Sequence, residues 1–167
     1  MLGQIVLSCV CLSVMVYALN NIDGRILLYS GPFYHQLNMS QKQQLADIVF
    51  ANTNVSDYDA QLSQFSTQLP MQLQQSFKQW QRRVVDYYNL LESLYDNQIA
   101  NNPMMKPYLD QYFYPSSDED SFSLLDQASD QIKYEIVKFL ANYNYQGDIA
   151  LLKATGLSMQ PTKLNRK

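Results

Sequence analysis

The sequence predicts an all-α protein, a helical bundle of two helix-loop-helix lobes around one long central helix. Three observations carry this prediction. The first is an apolar stripe, Leu73, Phe77, Trp80, Val84, Tyr87, Leu91 and Leu94, whose spacings alternate between four and three without a slip. The second is a set of shorter periodic segments on either side, separated by polar turns and prolines. The third is a shift of 63 residues that lays the second half over the first, placing Phe113, Leu125, Ile132, Ile136, Leu140 and Tyr143 on Phe50, Leu62, Leu69, Leu73, Phe77 and Trp80.

The central helix is expected from Pro70 to Ala100. Proline suits the first turn of a helix, where its missing N–H costs nothing, and the polar turn Asn101-Asn102-Pro103 ends the pattern. Val85, Tyr88, Tyr95 and Ile99 widen the stripe beyond a coiled-coil seam, so several partners must cover it.

Ahead of this spine, Leu19 to Asn38 reads as an irregular arm, its apolar pieces broken by Gly24 and Gly31-Pro32. Ser40 with Gln43 forms a capping-box pattern for a first helix carrying Leu45, Ile48 and Val49 and stopping near Ala51. Ser56 with Asp59 opens a second, with Leu62, Phe65 and Leu69. Beyond the spine, Pro103 and Pro107 frame a short helix or turn. Ser117 caps a further segment whose Asp118, Glu119 and Asp120 complement a helix dipole. One or two helices then run from Phe122 to about Asn144. A separate short helix, Asp148 to Thr155, is closed by Gly156. Residues 157–167 have no periodicity and read as a flexible tail.

With 167 residues, 47% of them hydrophobic, the chain has the size and apolar content of one domain, expected at 19–156. Met1 to Ala18 has the pattern of a secretory signal: the apolar run Ile5 to Val16 is too short to span a bilayer, which takes about 20 residues, and Ala18 is the small residue that cleavage requires. Secretion would remove both cysteines, Cys9 and Cys11, and leave stability to packing alone. It would also leave no membrane anchor. A formal charge of −3, mixed along the chain, provides no footprint for nucleic acid.

No catalytic constellation is present. His35 is the sole histidine, no Gly-x-Ser-x-Gly elbow occurs, and the mature chain would hold no thiol. A helix-loop-helix layout invites comparison with a calcium loop, but Asp57 stands at the glycine position of the first loop and Ser63 at its closing glutamate. No cofactor is expected. Asp118 and Asp120 are the candidate cation ligands, for a hydrated magnesium held weakly.

Two further features bear on function. The chain holds thirteen tyrosines, nine of them crowded between Tyr87 and Tyr145, and tyrosine suits a core rim, an interface or a cavity for an amphipathic ligand; Met104, Tyr108 and Tyr112 are the candidate cavity lining. Asn38-Met39-Ser40 and Asn54-Val55-Ser56 are acceptor sequons, making Asn38 and Asn54 candidate glycosylation sites.

Between Pro32 and Leu140 the chain resembles the nematode SXP/RAL-2 family, a domain of unknown function. Gly31-Pro32-Phe33-Tyr34 is similar to its Pro-Pro-Phe-Leu opening, Leu45 to Asn52 to its phenylalanine, isoleucine and asparagine helix, and Val55-Ser56 to its Leu-Thr helix start. Gln64-Phe65-Ser66 stands where the family has Trp-Ala, and Phe77 lies in the matching long helix. The second Leu-Thr opening, expected between Phe122 and Leu125, is missing. The resemblance implies a small, secreted, non-enzymatic helical protein, antigenic in hosts. Such a protein would act on an extracellular or host protein; the alternative is a carrier of a small hydrophobic or amphipathic ligand.

Overall fold

The structure, a computed structural model, describes residues 23–51, 55–113 and 123–156. Seven α-helices and no strand occur among the described residues. Residues 23–30 form α1, and a 3₁₀ turn at Tyr34–Gln36 leads to α2 (Met39–Val49) and α3 (Val55–Thr67). Next comes α4 (Met71–Asn101), then a second 3₁₀ turn (Pro103–Met105), α5 (Lys106–Phe113), α6 (Ser123–Gln127) and α7 (Asp130–Thr155).

The central stripe folds as its periodicity requires. Helix α4 begins immediately after Pro70, and its 31 residues make a rod of about 46 Å. Leu73, Phe77, Trp80, Val84, Tyr87 and Leu91 are all buried, and Leu94 is half-buried. At the centre of this face the Trp80 indole N–H donates to the Leu27 carbonyl of α1 at 2.8 Å. The Phe33 and Phe77 rings meet Trp80 at centroid distances of 5.3 and 5.4 Å, within the range of favourable aromatic pairs.

Two apolar clusters divide the interior. The first gathers Leu27, Phe33, Leu45, Leu62 and Phe65 around the N-terminal part of α4, joined by Leu151 and Ala154 of α7. The second joins Met105 and Leu109 to Ile136, Phe139 and Leu140 of α7, with Tyr95 and Ile99 of α4 against them. The Tyr95 hydroxyl donates to the Asp110 carboxylate, which also accepts from Lys106, and so ties α5 to α4.

Helix α7 runs antiparallel to α4. Its N-terminal half packs in the second cluster, Gly147 lies beside Leu91, and Gly156 lies beside Arg83. Both long helices therefore traverse both clusters, and the bundle has two spines where the sequence suggested one.

Three local expectations are corrected. The break expected between Asn144 and Asp148 does not occur: α7 is continuous over 26 residues. Glycine inside a helix costs only about 1 kcal/mol relative to alanine. At Gly147 a Cβ would meet Leu91 Cδ2 at 3.4 Å, ordinary van der Waals contact, so this residue sits directly against the other spine and packing holds the helix through it. The arm is helical at 23–30, because Gly24 brings that backbone against the Phe50 ring, where a Cβ would sit 2.6 Å from the ring edge. The first capping box uses Asn38 and Gln41 instead of Ser40 and Gln43. The Asn38 side chain accepts from the Gln41 N–H at 2.9 Å, and the Gln41 side chain accepts from the Asn38 N–H at 3.1 Å. At the other end of the fold, Gly156 closes α7 as expected, with φ 72° in the left-handed region.

Burial of Trp80 sets a measurable cost. Trp80→Ala is expected to lower the unfolding free energy by roughly 3–5 kcal/mol in urea titrations, through the lost packing and the cavity left behind. A change within about 0.5 kcal/mol, the range of a surface substitution, would contradict its place in the core.

Candidate functional site

The second 3₁₀ turn separates two adjacent methionines. Met105 is fully buried, whereas Met104 is 68% exposed. Tyr108 and Tyr112 are half-buried against the second cluster, and Tyr112 packs edge-on to Phe113. The Tyr112 hydroxyl is shielded from solvent without a hydrogen-bond partner, and burial pushes its pKa up to about 12. Asn38 is exposed and caps α2 through Oδ1, not through the amide nitrogen that carries an N-linked glycan. His35 is exposed beside the Tyr34 ring. Asn54, Asp118 and Asp120 lie outside the described residues, as do Met1 to Ala18. Among the described residues no three His, Cys, Asp or Glu side chains converge, and no helix is long and apolar enough to cross a membrane.

A recess of mixed chemistry lies between the two spines, on the C-terminal side of Gly147 along α7. It is a groove of about 260 Å³. From α4 it receives Arg83, Asp86, Tyr87 and Leu90. From α7 come Ile149, Ala150 and Lys153, with Gln146 and Ala154 at its margins. The Arg83 Nε–H is shut off from solvent and has no hydrogen-bond partner. A shallower depression of about 520 Å³ follows the outer face of α4 over Gln74, Gln75, Lys78 and Gln79, and is lined mainly by amides and flexible cations.

Tyr87 connects the groove to the interior. Its hydroxyl donates to Asp23 of α1 at 2.9 Å. Burial raises the Asp23 pKa; the hydrogen bond from Tyr87 partly offsets this, and the nearby charge of Asp148 adds to it. Tyr88 packs edge-on to both Tyr58 and Tyr87, at 5.0 and 5.1 Å. Burial pushes the Tyr88 hydroxyl up to about 12, with the Asp23 charge contributing. Tyr58 and Tyr87 shift upward for the same leading reason.

A second surface lies on the outer side of α7. Tyr134, Val137 and Tyr145 are 62%, 61% and 63% exposed, and Ala141 between them is also exposed. Their spacing of three, four and four residues aligns them in one strip about 16 Å long. The tyrosine excess left a core rim, an interface and a cavity open to these residues. The groove had no comparable signal, because Arg83 and Lys153 lie 70 positions apart and each reads singly as a solvated charge.

Asp23 gives the fold a pH dependence of definite sign. A carboxyl whose pKa is higher in the folded chain binds its proton more tightly there, so its contribution to stability declines as pH rises from about 4 through its own raised pKa. Asp23→Asn keeps an acceptor for Tyr87 and removes this decline. Urea unfolding of the two proteins between about pH 4 and pH 7 is therefore expected to show the difference in stability shifting toward the variant as pH rises; parallel profiles would refute the assignment. At the alkaline end, burial makes Tyr88 and Tyr112 ionise above the ordinary phenol range. Ultraviolet titration should place two phenols near 12, with stability lost as pH climbs from about 10, the ordinary tyrosine value, through that point.

Compared with protein-family models, curated proteins and solved structures, the chain matches none.

Proposed function

We propose that this chain is a secreted, non-enzymatic interaction protein of the SXP/RAL-2 type, which presents the outer face of α7 to an extracellular or host protein. The observation that carries the reading is the strip Tyr134, Val137, Ala141 and Tyr145, because the other side of α7 already packs on α4 and cannot account for this apolar character. Tyrosine is enriched in interface cores, where its ring is buried against the partner and its hydroxyl bonds outward. Cleavage after Ala18, glycans at Asn38 and Asn54, and a finer architecture of two helix-loop-helix lobes, α2–α3 and α5–α6, set about the long helices complete the reading. The opening turn Gly31-Pro32-Phe33-Tyr34 supports the family resemblance: it sends Phe33 wholly into the core beside Trp80. A second reading, carriage of a small amphipathic ligand, is favoured by the groove between α4 and α7.

Protein collected from its secreting cells is expected to begin at Leu19; N-terminal sequencing that finds Met1 would refute the secretory reading. The interface is tested by affinity capture from extracellular fluid with the wild type and with Val137→Glu combined with Tyr145→Glu. Both positions are exposed, so thermal unfolding should be nearly unchanged. A partner retained by the wild type should fall at least tenfold with the variant, and equal retention would discard the α7 face as the interface.

A further inference from the structure

We infer that the groove between α4 and α7 binds a small amphipathic anion, one carboxylate head carrying a short apolar tail. This rests on the carrier reading and adds to it the class of ligand and the residues that select it.

The argument starts from Arg83. A buried donor without a partner is costly, more so on a charged group, so the guanidinium has an unmet preference for an oxygen acceptor. Its planar fork of donors matches a carboxylate. The C-terminal turn of α7 runs beside it, a Cβ at Gly156 standing within van der Waals contact, 3.7 Å, of the terminal nitrogen Nη1.

Lys153 reaches the same groove from the opposite helix. Among the described residues the ion pair is Lys106–Asp110, and neither Arg83 nor Lys153 takes part in one. Asp86 also lines the recess and leaves two positive charges against one negative. That balance favours a single anionic head over a polyanion. Lys153 further offsets the partial negative charge at the C-terminal end of α7. Leu90, Ile149 and Ala150 supply its apolar wall, with the Gln146 amide beside them. Its volume of about 260 Å³ falls just below the usual range for drug-sized ligands, which sets the tail short.

The test is calorimetric titration of the full chain with octanoate, octanol and inorganic phosphate, repeated on Arg83→Gln and Lys153→Gln. Octanoate should bind, with octanol and phosphate at least tenfold weaker. Each substitution should weaken octanoate about tenfold, the loss of one charge-assisted hydrogen bond, and leave octanol unchanged. Lys153 is exposed, so its variant should remain folded by thermal unfolding and keeps the test decisive if Arg83→Gln does not. Octanol binding as tightly as octanoate, or octanoate indifferent to Lys153→Gln, would overturn the anion inference while leaving a carrier. Phosphate binding as tightly as octanoate would reduce the groove to a bare charge site. Failure of both octanoate and octanol to bind would remove the carrier reading as well.

Discussion

The close antiparallel approach of α4 and α7 at Leu91 and Gly147 is the contact on which the rest of the structure depends. Neither apolar cluster closes without it. Leu151 and Ala154 bring α7 into the cluster built by α1 to α4, while Tyr95 and Ile99 bring α4 into the cluster built by α5 and α7. Gly147 packs directly against Leu91, and two rods separated along their length would loosen both clusters together. The same antiparallel packing makes the groove, since it sets Arg83 and Lys153 along one seam of the two helices.

Tyrosine does much of the interior work. Its ring supplies apolar burial, and its hydroxyl adds a polar tie between elements already in apolar contact. Tyr87 reaches Asp23 across to α1, and Tyr95 reaches Asp110 on α5. The cost is visible at Tyr58 and Tyr112, whose buried hydroxyls have no partner. Gln81 shows the opposite solution: it is buried, yet its amide donates to the Asp59 carboxylate and the Ser63 hydroxyl of α3, so it fixes the register of α3 on α4.

Helix α7 combines three environments around one axis: a packed face toward α4, a groove edge at Lys153, and the exposed strip from Tyr134 to Tyr145. A helix apolar on more than one side is normally enclosed. Here one apolar side remains in water, which is why the proposed interface falls there and the ligand site falls at the seam.

Period and turn chemistry determined the all-α class, the length of α4, its buried face down to Trp80, and the caps at Pro70 and Gly156, because each depends on residues within one or two helical turns. Thus the alternating spacing from Leu73 to Leu91 is enough to state which side of α4 is buried. Local signals misled where tertiary contact outweighs propensity. Gly147 and Gly24 read as breaks, but Gly147 packs against Leu91 and the missing side chain of Gly24 admits Phe50, and the burial that follows exceeds the small helical penalty of glycine. The pairing of Arg83 with Lys153 was decided by the tertiary structure alone. Nothing in the intervening chain fixes how α7 returns along α4, and that return, set by the fit of Gly147 against Leu91, places the two cations on opposite walls of one groove.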